Sequence, residues 1–344
     1  RQRAQELRGR SAMGDDFTAQ RAERRAVPTL EAFLRDTYGP WIKENRVSGQ
    51  QTLDRIRTHF EQPFGRLKLD AITVAKVDQW TTRRRKAGVT PETINRDVTA
   101  LHAALSRAVK LKLVSEHPLK GLEPLKVDAH RRVVRALTED EEARLRAALE
   151  ARDTIKRQQR ANANEWRRQR GYDLLPAGGK FADPLTPAVL LSLETGMRRG
   201  ELFALEWPDV SLPESVIRVR GSTTKSYTSR EVPLNATARQ VLRDWWLQQG
   251  QPADGYILTS DGGMLGSLKT SFRRVLADAG IESTPTSRIN WHSLRHSFGT
   301  RLGRAGVDGS TLRELMGHAS ITTTQRYLHS DADRKRAAVD RLAQ

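Results

Sequence analysis

The sequence contains no cysteine among its 344 residues. Disulfide bonds, thiolate zinc sites and a cysteine nucleophile are therefore excluded together. It also lacks an apolar run long enough to cross a bilayer, and the basic residues 1–10 lead into no apolar segment. These absences predict a cytoplasmic protein that does not use a membrane.

Acidic residues are fewer than basic ones. The sequence has 41 Asp and Glu and 59 Lys and Arg, which gives a formal net charge of +18. Such an excess favours a polyanionic partner. Nucleic acid is the usual one, because each phosphate that a Lys or Arg neutralises releases a condensed counterion and adds to the affinity. An anionic membrane surface is the rival partner, and the absence of apolar segments disfavours it.

The length of the chain suits two domains, each with its own hydrophobic core. Residues 1–28 are polar without an apolar period and read as a linker, and the start at Arg1 predicts that an N-terminal portion is missing. Residues 29–120 show helical apolar spacing, which predicts a four-helix domain whose last helix opens at Thr90 and Pro91. Pro, Gly and scattered charges then predict an interdomain linker at 121–137.

Basic residues cluster on two stretches of the predicted four-helix domain. Such a stripe is able to follow a phosphate backbone, and the alternative for each run is a solvated face. The candidate DNA-binding residues are Arg83, Arg84, Arg85, Lys86, Arg107, Lys110 and Lys112.

The second domain is predicted at 138–330 as mainly α with a small antiparallel β-sheet, an α+β fold. A capping box of Thr138 and Glu141 opens one long helix or two abutting ones. Its basic second half, residues 152–170, is either an added DNA contact or a solvated insertion, and we favour the insertion. Two short β-patterned runs around 216–234 flank a polar loop and predict a hairpin with a long tip.

Three motifs in this domain carry candidate chemistry. Arg198 follows a glycine helix stop, where its guanidinium fork could hold two phosphate oxygens. His292 and Arg295 are three residues apart and so lie on one helix face. His318 precedes Tyr327 by nine residues, and a lone tyrosine there would by itself be taken for a packing residue.

Together these residues resemble the signature of the tyrosine recombinase (phage integrase) family: Arg, Lys, His-x-x-Arg, His or Trp, and Tyr in that chain order. The resemblance implies that Arg198 and Arg295 clamp the scissile phosphate and that Glu201 supports Arg198. It implies Lys225 as the general acid, His292 and His318 as pocket histidines, and Tyr327 as the nucleophile.

The chemistry of phosphodiester cleavage supports the same candidate arginines, histidines and tyrosine. Fixed guanidinium and imidazole groups stabilise the charge that grows on a phosphate in the transition state, by several kcal/mol. Tyrosine is a weak nucleophile at neutral pH because its pKa is about 10. A phosphotyrosine ester conserves the energy of the broken bond, so no ATP, metal or other cofactor is expected.

Three alternatives remain. A metal-dependent nuclease would need clustered carboxylates or a His-Glu-x-x-His pattern, which the sequence lacks. A type IB topoisomerase uses a similar pocket, but the Leu-Met-Gly-His element and the short spacing to Tyr327 favour a recombinase. A non-catalytic DNA-binding protein is disfavoured by the complete set of six candidate catalytic residues.

The resemblance also implies partners. It predicts that residues 29–120 are a core-binding (SAM-like) domain, that the two domains clamp duplex DNA, and that four protomers assemble on the attachment sites. The tail at 331–344 is expected to dock on a neighbouring protomer. Residues 1–28 are expected to adjoin an arm-binding region, and a DNA-bending protein and a directionality factor are expected accessories of an integrase from a mobile element.

Overall fold

A computed structural model describes residues 27–127, 133–176, 178–221, 229–260, 263–284 and 287–328. The chain divides into two compact units, Arg1–Ala129 and His130–Gln344. Within the described ranges no helix is both long and apolar enough to span a membrane. The mainly α fold with a small antiparallel sheet is confirmed.

Unit 1 is built from four helical stretches, the first two of which contain a π-helical section. Pro91 occupies the first turn of the last helix, as predicted from its fixed φ angle. The elements are α1 (Leu30–Phe33), a π segment (Leu34–Tyr38), α2 (Gly39–Asn45), α3 (Gly49–Ile56), a π segment (Arg57–Glu61), α4 (Gln62–Phe64), a 3₁₀ turn (Leu69–Ala71), α5 (Val74–Lys86) and α6 (Pro91–Lys110).

The core of unit 1 contains a buried carboxylate as well as apolar side chains. Asp97 is fully buried on α6, and its carboxylate oxygens lie 2.6 Å from Arg55 Nη1 and 3.5 Å from Arg84 Nη2. A carboxylate without such partners would be costly to bury. Arg84 therefore helps to neutralise a carboxylate inside unit 1. Arg107 also makes a contact within this unit, because its guanidinium lies over the ring of Trp41.

The other five candidate DNA-binding residues project from the surface of unit 1. Their side chains are exposed at the end of α5 and around the end of α6. They are Arg83, Arg85, Lys86, Lys110 and Lys112.

Described residues at both ends of the predicted linker 121–137 make hydrogen bonds within their own unit. Leu125 N donates to Asn95 Oδ1 of α6, which attaches the first residues to unit 1. Strand β1 (Val133–Val134) pairs in parallel with β7 (Ser287–Arg288), and Leu137 N donates to Ser297 Oγ. Contacts of this kind between distant segments give no signal in composition, so the sequence did not predict them.

The first helix of unit 2 is α7 (Glu139–Arg168), a single helix of 30 residues that follows β1. The basic second half of α7 lies against the chain that returns from it. Lys156 Nζ lies 2.7 Å from Asp183 Oδ2, Arg157 Nη1 donates to Lys180 O, and Arg160 Nη1 donates to Pro176 O. These basic side chains thus stabilise the returning chain through contacts within unit 2.

The start of α7 is held by the predicted capping box. Glu141 accepts from Thr138 N at 2.9 Å and from both terminal nitrogens of Arg135 at 2.5 and 2.6 Å. The Arg135 hydrogen bonds, together with those from Thr138, outweigh the effect of burial and lower the pKa of Glu141 from 4.5 to about 2.

Glu141 should therefore make unit 2 sensitive to acid. Because the folded-state pKa lies below the ordinary value, the stabilisation is complete above about pH 4.5 and is lost as the pH falls towards 2. We expect Glu141→Gln to lower the free energy of unfolding by about 2 kcal/mol at pH 7 and by much less at pH 3, after allowing for partial exposure of Arg135. Urea unfolding at both pH values measures this. Glu139→Gln, at an exposed position in the same turn, is the control, and equal losses at both pH values would contradict the assignment.

The rest of unit 2 packs helices around a three-stranded antiparallel sheet, β2–β3–β4, in which Ile217 pairs with Val232. Among the described residues of this unit, three buried clusters form its core, and the smallest contains Leu312, Met316 and Tyr327. The elements are α8 (Leu185–Thr195), α9 (Arg199–Phe203), a 3₁₀ turn (Trp207–Asp209), β2 (Val210–Ser211), β3 (Val216–Val219), β4 (Arg230–Pro233), α10 (Ala236–Gln248), β5 (Thr259–Ser260), β6 (Gly263–Met264), α11 (Lys269–Asp278), α12 (Trp291–Arg304), α13 (Gly309–Met316) and α14 (Ile321–Gln325).

Candidate active site

Arg198 lies at the junction between α8 and α9. Helix α8 ends at Thr195, and Gly196 follows in the left-handed region, as the sequence predicted. Glu201 in the first turn of α9 accepts from Arg198 N at 2.9 Å and from Arg198 Nη1 at 2.8 Å. The backbone and the guanidinium of Arg198 are thus fixed by the same carboxylate.

Glu201 also binds a second arginine that sequence reasoning missed. Arg230, at the start of β4, places Nη2 2.7 Å from Glu201 Oε2 and Nη1 3.2 Å from Oε1. Burial by itself would raise the pKa of Glu201, but the hydrogen bonds and charges of Arg230 and Arg198 outweigh it and lower the pKa. Glu201 is therefore ionised and joins two separate segments of unit 2.

The turn after α13 packs directly on these arginines. Gly317 has a φ angle of 62°, and a Cβ there would lie 2.9 Å from the guanidinium carbon of Arg230. Only glycine suits such a position. The carbonyl oxygen of Gly317 accepts from Arg198 Nη2 at 2.6 Å, so the turn that carries His318 is tied to Arg198.

Arg295 is the deepest of the predicted site residues, with 2% of its surface exposed. It projects from α12, donates through Nη1 to the carbonyl oxygen of Gly196 at 2.6 Å, and donates through Nη2 to that of Met316. Burial, and then the charge of Arg198, lower the pKa of Arg295 to about 10, so the group remains charged at neutral pH. Its contacts join α12 to the two turns that flank Arg198 and His318.

The two predicted histidines differ in burial. His292 lies in the first turn of α12 and is exposed. His318 is half-buried, and its Nδ1 lies 2.9 Å from the hydroxyl of the fully buried Thr324. Burial and then the charge of Arg295 lower the pKa of His318 to about 4, so it is neutral at neutral pH.

Tyr327 follows α14 and is 5% exposed. Its hydroxyl lies 2.6 Å from Nδ1 of His296, and its ring stacks on that of His318 at a centroid distance of 6.2 Å. Gly303 allows the backbone to come this close, because a Cβ there would lie 2.2 Å from Tyr327 O. Burial raises the pKa of Tyr327, although the charges of Arg295 and Arg326 act in the opposite direction.

Most of the predicted site residues are thus brought into one connected cluster by contacts through Glu201, Gly317 and Met316. Lys225, predicted at the tip of the hairpin, lies outside the described residues. His296 and Arg230 were not predicted as site residues. The sequence carried a signal for His296, because its spacing of four from His292 places both rings on one helix face. Arg230 lies in a β-patterned run, where nothing in the sequence marks it as a site residue.

The charge of the cluster indicates what it can bind. Arg198, Arg230 and Arg295 meet a single carboxylate, Glu201, among the residues that the structure describes here. Uncompensated buried guanidinium groups are costly unless an anion joins them. The site is therefore suited to an anion with several acceptor oxygens, such as a phosphate diester. No group of three or more His, Cys, Asp or Glu that could hold a metal ion occurs among the described residues.

Removal of the charge on Glu201 should destabilise unit 2. Glu201→Gln leaves the largely buried Arg230 and the partly buried Arg198 without a counterion, so we expect a loss of about 3 kcal/mol in the free energy of unfolding. Glu214→Gln is the matched control, because Glu214 pairs with Arg218 on an exposed surface and its replacement should leave the stability nearly unchanged. Urea unfolding compares them, and equal losses would mean that Glu201 does not hold the cluster.

Comparison with known proteins agrees with this geometry. Residues 180–334 match the model of the phage integrase family. The tyrosine recombinase XerC of Mycobacterium sp. (strain KMS) is 28% identical over 284 residues, which cover 79% of this chain and 83% of that protein. The XerC protein of Mycobacterium tuberculosis (strain ATCC 25177 / H37Ra) is 28% identical over 289 residues, covering 79% and 84%.

Solved structures show the same fold. The Tn1549 transposon integrase, in complex with transposon right end DNA, has a TM-score of 0.64 and 21% identity, and the match covers 92% of this chain and 100% of that one. A lambda integrase dimer bound to a COC' core site has a TM-score of 0.65 and 17% identity over 89% and 97% of the two chains. At these identities the likeness concerns the fold alone. The match over residues 180–334 and the sequence relatives thus show that this chain is similar to the tyrosine recombinase (phage integrase) family.

Proposed function

We propose that this chain is a site-specific recombinase that cleaves and rejoins duplex DNA through a 3′-phosphotyrosine intermediate. The observation that carries the proposal is the net positive cluster of Arg198, Arg230 and Arg295, in which the charge of Arg295 acts on the buried Tyr327 hydroxyl. A phosphodiester resists attack because its own charge repels nucleophiles, and positive groups already in place remove that obstacle.

In this proposal Arg198 and Arg295 bind the non-bridging oxygens of the scissile phosphate. Their backbone carbonyl partners hold the guanidinium planes before DNA arrives, so little reorganisation is needed in the transition state. Glu201 positions Arg198. His292 and His318 complete the pocket by hydrogen bonding to the phosphate.

Tyr327 then attacks the phosphorus, the bond to the 5′ oxygen breaks, and Lys225 is the group we assign to protonate that leaving oxygen. The phosphotyrosine ester keeps the energy of the cleaved bond, so a second 5′-hydroxyl can displace the tyrosine without ATP. We assign no metal ion or other cofactor to the reaction.

The other parts of the proposal concern DNA and assembly. The exposed basic residues Arg83, Arg85, Lys86, Lys110 and Lys112 of unit 1 would contact the DNA backbone, while Arg84 and Arg107 also serve the interior of that unit. A lambda integrase tetramer bound to a Holliday junction has this fold, with a TM-score of 0.65 and 18% identity. We propose tetramers on attachment sites, with integration and excision of a mobile element as the setting. The predicted role of the tail 331–344 lies outside the described residues, and sedimentation of the protein on its selected DNA tests the tetramer.

The test uses a library of nicked duplexes with a randomised core, incubated with the full chain in EDTA and without ATP. Cleavage near the nick releases a short strand and traps any covalent adduct, so denaturing selection recovers the preferred duplex. The expected result is a nucleotide attached to the peptide that contains Tyr327. Salt-sensitive binding without an adduct would favour a non-catalytic DNA-binding protein. An adduct accompanied by relaxation of supercoils without strand exchange would favour a topoisomerase.

A further inference from the structure

The hydroxyl of Tyr327 is already engaged by a side chain to which the proposed chemistry gives no role. Nδ1 of His296 lies 2.6 Å from Tyr327 Oη, and the two residues are 6% and 5% exposed. His296 follows Arg295 on α12 and lies one helical turn beyond His292, whose ring meets it edge-on at a centroid distance of 4.7 Å. The tyrosine hydroxyl thus contacts the second histidine of this helix.

We propose that His296 is the base that accepts the phenolic proton of Tyr327 during DNA cleavage. The O–H bond of Tyr327 breaks as its oxygen bonds to phosphorus, and the proton passes to Nδ1 of His296. The bond from phosphorus to the 5′ oxygen breaks, and that oxygen takes its proton from a separate acid. On rejoining, the incoming 5′-hydroxyl displaces the tyrosine and His296 returns the proton to Oη. This assignment rests on the proposed recombinase function.

The surroundings of His296 keep the ring neutral until DNA binds. The groups that face it are His292 and Arg295 on its own helix, His318 in the turn after α13, and Arg326 and Tyr327 after α14. Burial first, and then the charges of His292, Arg326, Arg295 and His318, lower the pKa of His296 to about 4. A neutral ring with its proton on Nε2 presents the lone pair of Nδ1 to the tyrosine.

A bound DNA phosphate makes protonation of His296 more favourable at the step in which Tyr327 loses its proton. The pocket is positive without DNA, and the phosphate anion offsets the guanidinium charges that oppose protonation of His296. The pKa of the ring therefore rises when the tyrosine must lose its proton. The hydrogen bond to His296 also holds Oη in a fixed position, so the base is already in place when the transition state forms.

The decisive variant is His296→Asn. The asparagine amide lies near the position of Nδ1 and can keep a hydrogen bond to Tyr327, but it cannot take up a proton. On the selected nicked duplex we expect adduct formation to slow by about 100-fold at neutral pH, with DNA affinity and Tm close to those of the wild type. The wild-type rate should be flat above neutral pH, whereas the variant should gain about tenfold per pH unit because hydroxide replaces the missing base.

Two further measurements keep the test decisive. His102→Asn makes the same change at an exposed histidine of unit 1 and should leave the rate unaltered. Fluorotyrosine in place of Tyr327 has a more acidic phenol, so it should restore the rate of His296→Asn and change the wild type little. This readout separates a base from a packing residue even if the variant is less stable.

Three results would overturn the assignment of His296 as the base. A wild-type rate and pH profile in His296→Asn would overturn the assignment and leave the recombinase function standing. So would a slower rate with an unchanged pH profile and no recovery with fluorotyrosine, because that pattern belongs to a structural role. If the wild type itself forms no adduct, the proposed function fails first and the base assignment fails with it.

Discussion

Replacement of Tyr327 by phenylalanine should abolish the covalent protein–DNA adduct and leave DNA binding intact. The change removes one oxygen from a side chain that is 5% exposed and packs with Leu312 and Met316, so the ring keeps its place. The lost hydrogen bond to His296 should cost about 1 kcal/mol of stability. Without the oxygen, no phosphotyrosine ester can form and no other step of the reaction can follow.

The measurement compares adduct yield on denaturing gels with DNA affinity from gel shifts, both on the selected duplex. Tyr172→Phe is the matched control, because Tyr172 is exposed and stacks on Trp166 away from the cluster. It should retain the full yield. An adduct that persists in Tyr327→Phe would show that another residue is the nucleophile.

The second large effect is expected at Arg295, where even the charge-conserving Arg295→Lys should lower the cleavage rate by about 1,000-fold or more. A guanidinium can donate to Gly196 O and Met316 O and still offer an N–H to phosphate, whereas an ammonium group cannot span these positions. Loss of one fixed donor to a transition-state charge costs about 10²–10³ in rate. The loosened turns at Gly196 and Met316 should add to this loss by misplacing Arg198.

Single-turnover cleavage on the selected duplex measures this effect, and thermal unfolding measures the accompanying loss of stability. Arg304→Lys on the same helix is the control, since Arg304 is exposed and pairs only with the exposed Glu139 among the described residues. It should cleave like the wild type. If Arg295→Lys retained more than about a tenth of the wild-type rate, the phosphate-clamp role would be wrong.

Local signals in the sequence were sufficient for several elements because their physics is local. Thr138 and Glu141 bond each other three residues apart, and Pro91 has its helical φ angle built in. Gly196 ends α8 because it readily adopts a positive φ angle. The hairpin, the starts of α6 and α7 and the end of α8 could therefore be read from the chain, whereas the resemblance to a family made Arg198, His292, Arg295, His318 and Tyr327 candidates.

Contacts between distant segments gave no such signal. The two-residue strand β1 is too short to show a period, so its pairing with β7 was not predicted. The contacts of the basic half of α7 with Pro176, Lys180 and Asp183 also gave no signal in the sequence.

The sequence by itself determined the overall charge, the helical character, the local caps and the order of the candidate catalytic residues. Each of these follows from residue types or from neighbours within one or two turns. Only the tertiary structure decided that Arg230 shares Glu201 with Arg198 and that Tyr327 meets His296. The residues of these two pairs are 29 and 31 positions apart in the chain. Their contacts depend on how α9 packs on β4 and how α12 packs on the turns after α13 and α14. Hydrogen bonds of about 3 Å between such distant segments are set by packing, so no spacing rule in the sequence reveals them.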